Sequence, residues 1–173
     1  MLAVLSLAVL AAAGPPDGTL VADLEGRLSA SGATAVNASL VSASATAMRQ
    51  LNGRTASCDL QAVSLSIRLS RAGSAKAVEA HRESLRLAVG HCTGFVLALL
   101  TPDEIPRVCA SIESWTVMQT VRELRRRIGA IEANEVLHAS QRGKACRAAY
   151  IYEMQNTRVG LTTRRPATAG PSP

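Results

Sequence analysis

The stretch of sequence that decides the fold is residues 92–150, which read CTGFVLALLTPDEIPRVCASIESWTVMQTVRELRRRIGAIEANEVLHASQRGKACRAAY. It contains three of the four cysteines and several apolar residues that recur at helical spacing. Val117, Val121, Leu124 and Ile128 follow one another at intervals of four, three and four residues, as on one face of a helix. We therefore predict an all-α, mainly helical domain that disulfide bonds hold together.

Capping and stop residues predict where the helices begin and end. The helix with this apolar face should begin at Ser114 and end at Gly129, and the last helix should span residues 139–154. Upstream, a helix over residues 74–89 is predicted to end at Gly90. These helices would form the body of the domain.

The preceding segment, residues 14–57, is rich in Ala, Ser, Thr and Gly, a composition that builds weak cores. Leu20, Leu24 and Leu28 nevertheless fall at helical spacing and predict a short helix. A second helical stretch is predicted over residues 33–51. This segment is therefore expected to add helices but little apolar volume.

Residues 63–70 have a pattern that two secondary structures can explain. Apolar and polar residues alternate over these positions, which is the period of a half-buried strand. The competing interpretation is a helix that buries Leu60, Val63 and Ile67. The pattern leaves both open, so a short strand at 63–70 is one alternative within an otherwise all-α fold.

Residues 1–13 resemble an export signal. They contain an apolar run that ends in three alanines, as in a signal peptide with its cleavage site. The run is shorter than the ~20 apolar residues that a transmembrane helix needs, and we predict no transmembrane segment. The mature chain would then comprise the N-terminal segment 14–57, a helical domain over 58–155 and a disordered basic tail over 156–173.

The four cysteines are Cys58, Cys92, Cys109 and Cys146. In an exported protein they most simply form two disulfides, and four cysteines allow three connectivities. The pairing that we favour is Cys92 with Cys109 and Cys58 with Cys146, because the 17-residue spacing of the first pair suits a short stapled loop.

Positive charge is concentrated in the C-terminal part of the chain. Residues 1–106 hold 8 Lys and Arg against 8 Asp and Glu, whereas residues 107–173 hold 11 against 5. The candidate basic patch consists of Arg122, Arg125, Arg126 and Arg127. An anionic partner and a solvated basic face both fit this distribution. The first would make the chain a non-catalytic, envelope-associated helical protein whose basic C-terminal part contacts anionic cell-wall or lipid polymers.

No catalytic or cofactor-binding motif is visible in the sequence. It has no nucleophile elbow, no phosphate-binding loop and no His-Glu-x-x-His zinc motif. His81, His91 and His138 lack the paired spacing of a zinc site, and disulfide formation would remove a cysteine nucleophile. The arginines are not interleaved with aromatic residues that could stack on bases. We therefore predict no enzyme activity, no cofactor, no metal and no nucleic-acid partner.

Short motifs follow one another along residues 92–150: a Cys-x-Gly-Phe start, a Val-Cys pair, a helix carrying Val117, Gln119 and Val121, and Asn-Glu-x-Leu-His-Ala-Ser before a last Ala-rich helix. In this order the segment resembles the Rap/Tai immunity proteins, small exported proteins that protect bacteria from peptidoglycan amidase toxins delivered by type VI secretion. Phe95 stands where the family pattern has Tyr, and Asn134 where it has Pro. The matching positions are Cys92, Gly94, Phe95, Cys109, Gln119, Glu135, Leu137 and His138.

The resemblance implies a function, a location and a partner. The chain would be a periplasmic immunity protein of a Gram-negative bacterium that binds and inhibits a peptidoglycan amidase effector, and we favour this over the envelope-associated alternative. Family members are mostly helical and dimeric, which implies a homodimer. They plug the amidase cleft with a loop between two helices, and the corresponding loop here spans residues 129–138. Its candidate partner-binding residues are Gly129, Ala130, Ile131, Glu132, Asn134, Glu135 and His138.

Overall fold

The computed structural model describes the backbone of residues 17–42 and 45–163 and the side chains of residues 19–42 and 45–157. Over these residues the chain forms eight α-helices and no strand, which confirms the all-α prediction. The predicted signal peptide lies outside the described residues, and none of the described helices is long and apolar enough to cross a membrane. The helices are α1 (Asp17–Ser42), α2 (Ala45–Ala56), α3 (Leu60–Leu69), α4 (Ala75–Leu99), α5 (Ile105–Val108), α6 (Val117–Glu132), α7 (Glu135–Ala139) and α8 (Gln141–Thr163).

Helix α1 consists of two arms that meet at Gly32. Gly32 has φ 79° and ψ 165°, a conformation that only glycine adopts at low cost. Across the bend, Arg27 donates a hydrogen bond of 2.6 Å to the Ser39 hydroxyl. The prediction of one helical stretch over residues 33–51 is therefore wrong, because the second arm ends at Ser42 and α2 begins separately.

Residues 63–69 are helical and Ser70 caps the helix, so the strand prediction is wrong and the competing helix is confirmed. Val63 and Ile67 are buried as expected, whereas Leu60 is 53% exposed. Asp59 caps α3, and its carboxylate accepts hydrogen bonds of 3.1 Å from the backbone amides of the first turn. The helix packs against α1, α2 and α4 and is therefore buried on several sides. Ser66 is buried with its apolar neighbours, because its hydroxyl lies 2.7 Å from the Thr55 hydroxyl. The alternating pattern thus reflects burial on several sides of a helix.

Helix α4 does not end at Gly90 as predicted. Ser74 caps it, and the helix runs to Leu99 with a non-helical residue, Cys92 (φ −136°, ψ 52°), inside. Gly90 serves a different purpose: a Cβ there would lie 2.9 Å from Nη2 of Arg127. The missing side chain therefore leaves room for an arginine from α6.

Helix α6 begins and ends later than predicted. Thr116, not Ser114, caps it in a capping box with Gln119, and the helix continues past Gly129 to Glu132. Val117, assigned to the apolar face, is 39% exposed. The buried face is thus rotated from the predicted one, since Val121 and Ile128 are only partly buried and Arg127 is buried. Its buried residues are Thr120, Leu124, Arg127 and Ile131.

Helix α8 extends into the predicted disordered tail. It begins at Gln141 and continues to Thr163, so residues 156–163 are helical. Once a helix has formed, each further residue adds a backbone hydrogen bond, and the first proline in this direction is Pro166. The prediction of disorder is therefore wrong over residues 156–163, and the rest of the predicted tail, residues 164–173, lies outside the described residues.

The core consists of two hydrophobic clusters that meet at α3. The N-terminal cluster is Leu20, Val21, Leu24, Leu28, Val36, Leu40, Leu51, Ala62, Leu65 and Leu69. The C-terminal cluster is Val63, Ile67, Leu85, Ala88, Val89, Val96, Leu97, Leu100, Ile105, Val108, Cys109, Leu124, Ile131, Cys146 and Tyr150. Because α3 contributes to both, the Ala/Ser-rich N-terminal segment packs onto the rest of the chain through a leucine-rich core.

All four cysteines form disulfides, but the favoured pairing is wrong. The bonds join Cys58 to Cys92 and Cys109 to Cys146, with Cα–Cα distances of 6.1 and 5.3 Å. Helix α4 carries the chain about 10 Å beyond Cys92 before it turns, and α5 then places Cys109 against α8. Cys92 instead lies beside the turn between α2 and α3, which holds Cys58.

Candidate functional site

The residues predicted to form the partner-binding loop lie in two helices. The prediction of a loop over residues 129–138 is therefore wrong, because only Ala133 and Asn134 connect α6 to α7. Ile131 continues the buried face of α6 and is 1% exposed, so it cannot contact a partner. The residues Gly129, Ala130, Ile131 and Glu132 complete α6, Asn134 caps α7, and Glu135 and His138 lie in α7.

Helix α7 is short but held firmly in place. The Asn134 side chain caps it and accepts a 3.0 Å hydrogen bond from the Leu137 amide. The Ser140 hydroxyl donates to the Leu137 carbonyl and accepts from the Gly143 amide, both at 2.9 Å. A Cβ on Gly143 would lie 1.9 Å from the Leu137 carbonyl oxygen. Glycine at 143 therefore lets the end of α7 lie directly on the first turn of α8.

The outer side of α7 faces solvent. None of its residues is buried, and Val136 is 80% exposed. Beside it, a mainly apolar groove of about 180 Å³ separates α7 from the C-terminal part of α4. Val136, Leu137 and Ser140 line one side and Gly94 and Ala98 the other. The combination is an exposed apolar side chain on a fixed helix next to an apolar groove.

Two positions that carry the sequence resemblance meet in this groove. A Cβ on Gly94 would lie 3.8 Å from Cδ2 of Leu137, so the groove is narrow at this point and α4 and α7 lie close together. Leu137 also packs against the C-terminal cluster and so attaches α7 to the core. Glu135 and His138 lie on the exposed part of the same helix. The structure thus brings together residues that are more than 40 positions apart in the sequence.

The predicted basic patch is divided between surface and core. Arg122 and Arg125 are exposed, and Arg126 is exposed but paired with Glu123. Arg127 is 4% exposed, so its inclusion in a surface patch is wrong. Its guanidinium carbon lies 5.0 Å from the Trp115 ring centre and 5.8 Å from that of Tyr150. Interaction with two aromatic rings favours the cation at this buried position.

Hydrogen bonds complete the surroundings of Arg127. It donates to the Arg86 carbonyl, to the Tyr150 hydroxyl at 3.3 Å and to the Glu123 carboxylate at 3.1 Å. The hydrogen bonds from Arg126 and Arg127 lower the pKa of Glu123 to about 2, although partial burial opposes this shift. The arginine is therefore a structural cation that joins α4, α6 and α8.

A second buried polar group was not identified from the sequence. Asn37 donates from its amide nitrogen to the Leu69 and Ala72 carbonyls, and its amide oxygen lies 2.9 Å from Nε2 of His81. Because the amide oxygen can only accept, Nε2 carries the proton and Nδ1 is left as an acceptor. Nδ1 is buried and has no hydrogen-bond partner in the described part of the chain. Burial lowers the pKa of His81 to about 4.

The remaining reactive side chains do not come together. None of the described cysteines is free, and no group of three or more His, Cys, Asp or Glu side chains within the described ranges is placed to hold a metal ion.

Comparison with known proteins gives no match: no family model, curated protein or solved structure matches the chain. The surface of α7 with its adjoining groove is the candidate site because it combines an exposed apolar side chain with an apolar groove, and the sequence resemblance suggests a partner for it.

Proposed function

We propose that the protein is an exported immunity protein that binds and inhibits a peptidoglycan amidase, with α7 and the adjoining groove as its binding surface. The observation that carries the proposal is Val136, an apolar side chain 80% exposed on a helix held by Asn134, Ser140 and Gly143. Val136 also adjoins the apolar groove beside α4, and it is such a continuous apolar surface, more than one exposed side chain, that marks a site for a partner.

The fixed position of α7 supports an inhibitory role. A surface that is already in its binding conformation loses little conformational entropy on association, so more of the contact energy appears as affinity. The two disulfides restrict the surrounding helices in the same way and suit an oxidising compartment such as the periplasm. Both features are useful to a protein that must stay folded where its target acts.

Inhibition would occur by occlusion of the amidase cleft. In the proposed complex Val136 enters the apolar part of a cleft shaped for a peptide, and the exposed Glu135 and His138 contact its polar rim. The inserted element is thus a short helix and not the loop that the resemblance implied. No chemistry by this chain is needed, because a filled cleft excludes the substrate.

The test compares two aspartate substitutions on equally exposed apolar residues. Val136→Asp should weaken binding to an amidase encoded by a neighbouring gene by about 30-fold or more, the loss typical of an interface hot spot. Met118→Asp is the matched control, since Met118 is 77% exposed but lies in the first turn of α6. It should change the Kd by less than about threefold. Calorimetry and protection of purified peptidoglycan would measure both.

A second variant tests the position of α7 itself. Gly143→Ala forces the Leu137 carbonyl to move, so inhibition should fall while the helical circular dichroism signal is kept. Unchanged inhibition by both Val136→Asp and Gly143→Ala would contradict the proposed surface. Binding to isolated peptidoglycan that survives Val136→Asp but is lost on substitution of the exposed Arg122 and Arg125 would favour the envelope-associated alternative.

A further inference from the structure

A second concave surface lies away from α7, where the turn between α3 and α4 meets α5. The cavity measures about 170 Å³ and has polar walls over an apolar floor that includes Leu100, which is 1% exposed. A single water needs about 10 to 15 Å³, so the space is sufficient for a larger polar group. Its charged lining residues are Arg71, Arg82, Arg107, Asp103 and Glu104. None of them lines the groove beside α7.

Two of these five charged residues neutralise each other. Arg71 donates to both carboxylate oxygens of Glu104, at 2.7 and 3.1 Å, and the Thr101 amide donates to the same carboxylate at 2.8 Å. The hydrogen bonds from Arg71 lower the pKa of Glu104 to about 2, although partial burial opposes the shift. The pair is therefore fully ionised at neutral pH and forms one wall of the cavity.

The other two arginines make few interactions of their own. Arg82 has an ion pair with Glu79 at 3.9 Å, and Glu79 is at the same time bound by Arg86 at a shorter distance. The Arg107 guanidinium has no hydrogen bond or ion pair within the described ranges, although its backbone carbonyl accepts one from Arg86 at 3.1 Å. Two guanidinium groups thus line one cavity without a full set of acceptors.

Asp103 is the one carboxylate left to balance them. It accepts a 2.7 Å hydrogen bond from the Thr101 hydroxyl and belongs to the same turn as Glu104. Arg82, Arg107 and Asp103 together leave a net charge of +1 in the cavity once the Arg71–Glu104 pair is set aside. A neutral or cationic ligand would not relieve this imbalance, whereas an anion would.

We propose that this cavity binds a single oxyanion group, either a phosphate or the carboxylate of a peptide, between Arg82 and Arg107. The planar guanidinium presents paired N–H donors that match two oxygens of such a group. Arg82 projects from the long helix α4 with only 26% of its side chain exposed, which limits its freedom and its hydration. Leu100 lines the cavity and is 1% exposed, so attraction to the partly buried Arg82 is screened less than on an open surface, whereas Arg107 is exposed.

The experiment is calorimetric titration of the full chain at low ionic strength, first with inorganic phosphate and then with a short peptide bearing free carboxylates. Arg82→Gln and Arg107→Gln should each weaken binding by about tenfold or more. Asp103→Asn should strengthen it severalfold, because it removes the competing carboxylate. Arg125→Gln, a change at an exposed arginine of α6, is the matched control and should leave the affinity unchanged.

The two ligands separate the two sources of the anion. Binding of phosphate alone would assign the cavity to an inorganic or phosphoryl group, and binding of the peptide alone would assign it to a carboxylate. Absence of binding by both at millimolar concentration, or binding that persists in the Arg82→Gln/Arg107→Gln double variant, would overturn the proposal. The readout is independent of amidase inhibition, and thermal unfolding of each variant reports whether it is folded.

Discussion

The N-terminal and C-terminal clusters are both apolar, but they accommodate a buried nitrogen-containing side chain in different ways. Beside the N-terminal cluster, His81 has one side-chain partner among the described residues, Asn37, and its Nδ1 has none there. In the C-terminal cluster, Arg127 has three hydrogen-bond acceptors and two aromatic rings. Arg127, which carries a charge, thus has more partners than the neutral His81.

The reason lies in what each group can do when it is buried. A histidine can release its proton, so burial lowers its pKa to about 4 and the neutral ring stays. An arginine cannot release its proton in a protein, so the surrounding structure must supply acceptors. The C-terminal half also holds the Cys109–Cys146 bond, whereas the N-terminal cluster contains no cysteine. The two halves should therefore fail under different conditions.

The largest effect is expected when the disulfide of the C-terminal cluster is removed. Cys109→Ala/Cys146→Ala loses a bond that closes a loop of 37 residues, which is worth about 4 kcal/mol in the chain-entropy model. Both cysteines are fully buried, so lost packing adds about 1 kcal/mol. Urea unfolding should show a loss of about 5 kcal/mol.

The matched control is Cys58→Ala/Cys92→Ala, whose loop of 34 residues is nearly the same length. Its loss should be smaller, because Cys58 has φ 67° and Cys92 is non-helical inside α4, and both backbones can relax when the bond is absent. Equal losses in the two double variants would show that loop length alone sets the contribution.

The second effect concerns the buried cation. Arg127→Ala removes the link between α4, α6 and α8 and leaves the Arg86 carbonyl without this donor, so stability should fall by about 4 kcal/mol. The control is Arg125→Ala on the exposed side of the same helix, which should stay within about 0.5 kcal/mol of the wild type. A small change in the free energy of unfolding for Arg127→Ala would contradict this role, since Trp115 and Tyr150 would then fill the vacated space without loss of stability.

The smallest of the three effects depends on pH. Between the ordinary pKa of 6.5 and the folded value of about 4, the unfolded chain binds a proton at His81 that the folded chain does not. Stability should therefore fall as the pH is lowered through this window, by about 3 kcal/mol in total at roughly 1.4 kcal/mol per unit.

Comparison with His81→Gln would isolate this contribution, since the variant cannot take up the proton. Glu123 provides the contrast from the other half of the molecule. Its pKa is lowered from 4.5 to about 2, so its stabilising pairs with Arg126 and Arg127 are present above pH 4.5 and lost as the pH falls toward 2. Wild-type and His81→Gln proteins that lose stability in parallel between pH 6.5 and 4 would refute the assignment to His81.

The fold was predictable where one side of a helix meets the core. Leu20, Leu24 and Leu28 are spaced for a helix, and all three are buried in the first arm of α1. The alternating pattern of residues 63–70 favoured a strand because α3 is covered by other helices on several sides. A helix in this position buries polar residues such as Ser66, whereas a half-buried strand would expose them to solvent. Periodicity thus reports burial on one side and says little when several sides are covered.

The candidate site was predictable only in part. Gly94, Leu137 and Glu135 stand out in the sequence through their motifs, and the first two do meet between α4 and α7. The same motifs placed a loop where α6 continues, because Gly129 was taken as the helix end although Ile131 extends the apolar spacing of Leu124 and Ile128. The two arginines of the oxyanion cavity have no motif at all, because they come from different helices.

The sequence by itself determined that the chain is helical and that its four cysteines are paired, since helical periodicity and an even cysteine count are local or compositional properties. Only the tertiary structure decided that Cys58 pairs with Cys92, that Arg127 is buried and that Val136 is exposed. Each of these depends on where α4 lies relative to the other helices. The packing of distant side chains sets that position, and Gly90 leaves room for the Arg127 side chain of α6 against α4.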